Sequence, residues 1–331
     1  MPGWRDIVDE FTASANARGG QADADGIRRK YLARFAAATG RPAIIYATAW
    51  LSRPGAQDTS INLQDVHGFM EACRALPGPN LDIILHSPGG TAEGAASIVH
   101  YLRQKYSNIR VFVPLAAMSA ATMWAMAADR IVMGKHSQLG PIDPQFLIND
   151  RLGTRFVAAS AILDQFKQAK SEVATDPKTL GAWAQILPQY GPGLLQQCET
   201  ATELAKSLVR EWIARYMLVE DQDKDRKASE ISEFLGTHST HHSHNVGIFR
   251  DQLVEKGLIV DELENTFQDE TLSVFHATII TFNGTQCIKL IENNEGRGYY
   301  HVQQTPFQIQ LPQMIPQVPP ARSPAQVPAA P

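Results

Sequence analysis

Cysteine is scarce. Cys73, Cys198 and Cys287 are the only three in 331 residues, too few, too far apart and odd in number for a disulfide framework or a metal-ligand cluster. Free thiols suit a reducing compartment, so a cytoplasmic location is expected. An excess of charge of one sign is missing as well. The chain carries 30 Lys and Arg against 34 Asp and Glu, with no long basic run, which speaks against nucleic acid as a partner. The opening stretch, MPGWRDIVDEFTASANARGG, has acidic residues and no apolar run of signal-peptide length. One uncharged window, Val111 to Ala128, is just long enough to be weighed as a membrane span. Pro114, Ser119 and Thr122 inside it fit a buried strand followed by a buried helix better. No membrane span is therefore expected, although this does not exclude peripheral membrane contact, and no internal repeat is evident.

What remains is a chain that is 44% hydrophobic, enough for a sizeable core. Two polar, helix-prone segments occupy residues 1–40 and read as an N-terminal helical extension. From Arg41 the pattern alternates: strand (Arg41 to Trp50), turn-rich loop, helix (Asn62 to Leu76), buried strand (Leu81 to Leu85), helix, strand (Arg110 to Pro114), helix. Such alternation favours a parallel sheet covered on both faces. Ile131 to Met133 adds a short strand, and KHSQLGPIDPQ reads as a structured turn. Phe156 to Ala174 is amphipathic, with Ile162, Phe166, Ala169 and Val173 on one stripe. Helices follow from Thr179 to Leu218 and from Ala228 to Leu235, and Leu272 to Ile291 reads as β or mixed structure. The main domain is placed at 41–302, and residues 303–331, rich in Gln, Pro and Ala, read as a flexible tail.

The chemistry concentrates between Leu81 and Gln145. A buried strand ends in Ser87-Pro88-Gly89-Gly90, and the next strand ends in Ala116-Ala117-Met118-Ser119 before another helix begins. Nucleophilic serine catalysis needs a serine held at a sharp turn, a base within reach, and donors where negative charge develops. Ser119 stands at such a turn, and the glycine turn can offer backbone N–H groups to an oxyanion. An ordinary helix N-cap would explain Ser119 equally well by residue type alone.

SPGG after a buried strand, MSAATMWAMAADRIVM about thirty residues on, and then HSQLGPIDPQ together resemble the Clp/crotonase-fold serine peptidases, most closely the serine dehydrogenase proteinase (SDH) family. The resemblance runs from RPAIIYATAW to IKLIENNEGRG. It implies an α/β fold of the Clp/crotonase-like ββα spiral type with additional C-terminal helices, and a homo-oligomer acting on a peptide or protein substrate without a cofactor. It also implies Ser119 as nucleophile and an oxyanion hole from Gly89, Gly90 and Ala120. The Clp pattern places a histidine about twenty-five residues past the serine, where this chain reads Gly140-Pro141-Ile142-Asp143-Pro144. The signal peptide peptidase branch of the fold uses a Ser-Lys dyad instead, and Lys167 and Lys170 fall in its window. A lysine can accept the serine proton only if burial lowers its pKa. Lys170, beside Ala169 and one turn from Phe166, is the better placed.

His136 is a further candidate base and His86 a brace for the glycine turn. His238, His241, His242 and His244 cluster in a polar loop that lacks the carboxylate or thiol needed to complete a metal site. Glu292 and Arg297 read as an ion-paired structural corner. Two other functions compete with a peptidase. An acyl-CoA enzyme would need a carboxylate near the glycine turn, such as Glu93, and a basic site for nucleotide phosphates. A non-catalytic assembly protein keeping the fold would have Ser119 buried or without a base.

Overall fold

The computed structural model describes residues 3–303 except 75, 151–152, 187–189, 238–243 and 245. Helices α1 (Trp4–Ala17) and α2 (Ala24–Thr39) precede strand β1 (Ala43–Thr48). Then come α3 (Asp65–Ala72), β2 (Asn80–His86), α4 (Ala92–Lys105), β3 (Asn108–Val113), β4 (Ala116–Ala117), α5 (Ala120–Ala125), β5 (Arg130–Met133) and β6 (Gln138–Leu139). A hairpin of β7 (Gln145–Asp150) and β8 (Gly153–Ala158) leads into α6 (Ala159–Thr175), α7 (Leu180–Trp183), α8 (Leu194–Trp212) and α9 (Lys224–Gly236). The chain returns through β9 (Ile248–Phe249), α10 (Arg250–Glu255), β10 (Val260–Glu262), α11 (Gln268–Gly284), β11 (Cys287–Asn293) and β12 (Gly298–Val302).

Seven strands form the main sheet in the order β10-β5-β3-β2-β1-β11-β12. The pairs from β10 to β1 are parallel, and β11 and β12 add antiparallel. Successive side chains of a strand point to opposite faces, so the largely apolar strands serve two cores. Leu81, Ile83 and Leu85 join Val111, Val113, Ile131 and Met133 under α3, α4, α5, α8 and α9. Ile84, Phe112 and Val132 pack on the other side against α1, α2 and α11. Burying one such side chain contributes about 1.5–3 kcal/mol, and the central strands are buried on both faces. The α/β architecture expected from the sequence, a mainly parallel sheet covered on both faces, is therefore present.

The uncharged window from Val111 to Ala128 resolves into β3, β4 and α5, and among the described residues no helix is long and apolar enough to cross a membrane. Glu292 lies fully buried between Arg28 and Arg29, 2.7 and 2.6 Å away, and Tyr300 also bonds to it. Arg297 pairs with Glu71 rather than with Glu292. Removing one partner of a buried pair of this kind costs about 3–5 kcal/mol, so the corner is structural, as its sequence suggested.

Two segments differ from expectation. Leu272 to Ile291, rich in Thr, Ile, Val and Phe, is mostly the helix α11, and only its end is β11. Its hydroxyls are absorbed locally: Thr278 donates to Val274 O and Thr281 to Ala277 O, both at 2.8 Å. A helix covered on one face by a sheet and flanked by α1 and α2 overrides β propensity. Phe156 belongs to the β7–β8 hairpin, and α6 starts three residues later. The tail from residue 304 and His238, His241 and His242 lie outside the described residues.

Candidate active site

Ser119 has φ 51° and ψ −118°, one of two non-glycine residues with positive φ among those described. The backbone is strained there, and such strain in a non-glycine residue concentrates at functional turns. The hydroxyl does not cap α5. Its carbonyl starts the helix, accepting from Met123 N at 3.0 Å, while the side chain makes no hydrogen bond to a described residue. The N-cap explanation of Ser119 is thus excluded by its geometry.

The glycine turn is pressed against this serine. Gly89 (φ 97°) and Gly90 (φ 155°) take conformations that a side chain resists. A Cβ on Gly89 would stand 2.7 Å from Ser119 Cβ, and one on Gly90 would collide with the backbone of Ile61. Ile61 N donates to Gly89 O at 2.6 Å and Thr91 N to Ile61 O at 3.0 Å, clamping the turn from outside. Ser87 ties it to β4, donating its N–H to Ala116 O and accepting from Met118 N. The Gly89 amide is already used, donating to Ser87 Oγ at 3.1 Å. The amides of Gly90 and Ala120 have no partner among the described residues.

Ser119, Gly90 and Ala120 line one cleft of about 880 Å3, together with Pro88, Thr91, Glu93, Met123, Pro144, Phe146, Phe156, Leu204 and His244. The volume suits a ligand of several residues. The mixed lining is apolar along the hairpin and α8, and polar at the serine. Phe156, 72% exposed, stands on its rim.

The two lysines expected as base are elsewhere. Lys167 and Lys170 are exposed on α6, Lys167 reaches Asp164 at 3.5 Å, and neither lines the cleft. The buried stripe of α6 is made by Ile162 and Ala169, and Lys170 turns away from it. The desolvation that a neutral lysine base requires is therefore missing in this chain. His136 Nε2 lies 3.0 Å from Pro114 O in a structural contact. His86 is buried, its Nδ1 3.1 Å from Ala116 O, and burial pushes its pKa down to about 4. It braces the glycine turn against β4.

His244 does line the cleft. Its Nδ1 lies 2.7 Å from Oδ1 of Asp143, a carboxylate 2% exposed, whose Oδ2 accepts from Gln145 Nε2 at 3.1 Å. The pair lies beyond a short strand pairing. Leu139 of β6 pairs with Ile248 of β9 in antiparallel fashion, and Asp143 lies four residues after the one and His244 four residues before the other. Thr122 Oγ1 fastens this ribbon to the nucleophile turn, donating to Ala117 O at 2.7 Å and accepting from Gly140 N at 2.9 Å. Sequence reasoning took His244 for a member of a histidine-rich loop. Two-residue strands leave no periodic signal, so nothing in the sequence tied it to Asp143.

Fold and cleft thus define an α/β protein with a partly buried, strained serine beside unused backbone donors. Residues 59–186, a stretch that includes Ser119, the glycine turn and Asp143, are similar to the family described as ClpP-like SDH-type serine proteinase. His244 lies beyond the matched residues. Two uncharacterized proteins of Methanocaldococcus jannaschii are each 30% identical over 202 residues, 61% of this chain. The chain spans about three fifths of the length of these relatives, 60% and 59%. Two solved structures are similar over part of their length. One is the 1510-N membrane-bound stomatin-specific protease as a serine-to-alanine mutant, with TM-score 0.35 and 14% identity over 61% of this chain and 74% of that one. The other is a lysine-to-alanine mutant of the same protease in complex with a substrate peptide, with TM-score 0.33 and 16% identity over 56% of this chain and 61% of that one.

Proposed function

We propose that this protein is a serine peptidase that hydrolyses peptide bonds through an acyl-enzyme on Ser119. The observation that carries the reading is the strained, uncapped Ser119 facing a cleft it shares with the free amides of Gly90 and Ala120. In this reading Ser119 Oγ attacks the scissile carbonyl and the carbonyl oxygen takes up negative charge. The Gly90 and Ala120 N–H groups donate to it, a contribution worth about 10²–10³ in rate per donor. Gly89 supports the turn but spends its own amide on Ser87. The expected pairing of Ser119 with Lys170 or Lys167 gives way to His244 as base. With the Asp143 carboxylate holding the Nδ1 proton, Nε2 is left to take the proton of the serine and return it to the leaving amine. Water then attacks the acyl-enzyme by the reverse route. The resulting chain order is Ser119, Asp143, His244.

The acyl-CoA alternative has Glu93 on the cleft, but among the described residues no lysine or arginine lines it, so nothing described there supplies a counter-charge for the nucleotide phosphates. Assembly into a homo-oligomer and a cytoplasmic location remain parts of the same proposal. Hydrolysis of a peptide library compared between the native chain and Ser119→Ala tests it. Cleavage that disappears in the variant supports the reading, and cleavage that persists overturns it.

A further inference from the structure

Behind the oxyanion turn lies a charged network that the hydrolytic chemistry does not call for. Lys289 on β11 and Asp65 at the start of α3 face each other at 2.8 Å, their side chains 1% and 2% exposed. Tyr46 OH donates to the other oxygen of Asp65 at 2.8 Å. A buried ion pair is a poor source of stability, because desolvation offsets its attraction, and apolar residues of similar size often do as well. Its use has to be sought in what it holds.

Two outward bonds of the network end on the backbone that frames the turn. Lys289 Nζ donates to Ser60 O at 2.8 Å, and Asp65 Oδ2 accepts from Asn62 N at 3.1 Å. Ile61, between these two anchored residues, is the one that clamps Gly89 and Thr91. On the other side the Ser87 hydroxyl neighbours the Tyr46 hydroxyl and accepts from Gly89 N. The network therefore grips the glycine turn from both flanks without lining the cleft itself.

We propose that Lys289, Asp65 and Tyr46 are positioning residues that set the Gly90 amide at the oxyanion site. The proposal rests on Ser119 being the nucleophile. Backbone carbonyls and amides of a loop have no side-chain packing to fix them, so three buried polar groups on three separate elements supply the constraint. Displacement of a catalytic donor by about 1 Å is enough to cost roughly 10²-fold.

The experiment is a fluorophosphonate labelling series with saturation kinetics, which separates the limiting rate from the half-saturating concentration, together with thermal unfolding of each variant. Lys289→Met should lower both rate and stability, since it leaves Asp65 buried without its partner. The double variant Lys289→Met with Asp65→Leu removes both charges and should regain thermal stability. Its limiting labelling rate should stay about 10- to 100-fold below the native value at an unchanged half-saturating concentration. Tyr46→Phe, which removes one hydroxyl and keeps the ring, should slow labelling about tenfold with the fold intact. Recovery of the native rate in the stable double variant, or an unchanged rate in Tyr46→Phe, overturns the proposal. Should the double variant fail to fold, Tyr46→Phe decides alone. Absence of Ser119-dependent labelling in the native protein overturns the peptidase reading, and this inference with it.

Discussion

Ser119, Gly89 and Gly90 stand at the ends of β2 and β4, where the strands are buried on both faces and where most of the closest contacts of the two glycines are with backbone. His244 stands in a loop, held by one side-chain bond to Asp143 and by a two-residue antiparallel ribbon. The proposed nucleophile and its backbone donors thus sit at the strand ends, while the proposed base is attached to them laterally. A site built this way concentrates its geometric demands in glycine conformations that tolerate no side chain, and leaves the acid–base pair to be assembled from distant sequence.

The contrast can be broken at several points. Ser119→Ala should reduce hydrolysis most, by about 10⁴-fold or more, with little change in melting temperature because no hydrogen bond of its side chain is lost. Asp143→Asn should follow, with a loss of about 10⁴-fold in kcat through misorientation of His244, read as a fall in kcat at nearly constant KM. Gly90→Ala, forced into φ 155° against Ile61, should lower kcat about 10²-fold and lower the melting temperature as well, which separates a defect of the sheet-edge half from one of the loop half. Phe156→Ala should raise KM a few-fold with kcat nearly unchanged, since its ring borders the cleft away from the serine.

Smallest is a pH effect on stability. His86 is held neutral, with its folded pKa pushed down by burial to about 4, below the ordinary value of about 6.5. Above that ordinary value neither state binds the proton, so the full stability is present. As the pH falls from about 6.5 to about 4 the unfolded chain binds a proton that the folded chain refuses, and stability drops by up to about 1.4 kcal/mol per pH unit. Denaturant titrations of the native protein and of His86→Gln across that window should show a shallower acid-side slope in the variant.

The two halves also differ in how far they can be read from the residues. SPGG after an apolar run and a serine after the next one are local signals: positive φ demands glycine, and both motifs sit at strand ends that alternate patterning locates. Parallel order and two-faced burial follow from the same apolar runs. The antiparallel edge of β11 and β12 was not legible, because α11 looks like a strand by composition until its hydroxyls are seen bonding within the helix. Lys170 was chosen from a stripe on α6, but a stripe says which residues face the protein only if the helix packs along its whole length, and here Phe166 and Val173 stay partly exposed. His244 and Asp143 meet beyond a β6–β9 pairing of only two residues, which no periodicity announces.

The most direct test of the account compares the rate at which a fluorophosphonate modifies Ser119, identified by mass spectrometry of the modified peptide, in His244→Gln and in Lys170→Met with Lys167→Met. The account predicts a Ser119 adduct forming at least 100-fold more slowly in the histidine variant and at the native rate in the double lysine variant. Loss of the adduct in the lysine variant with a native rate in His244→Gln, or modification of a residue other than Ser119, would contradict it.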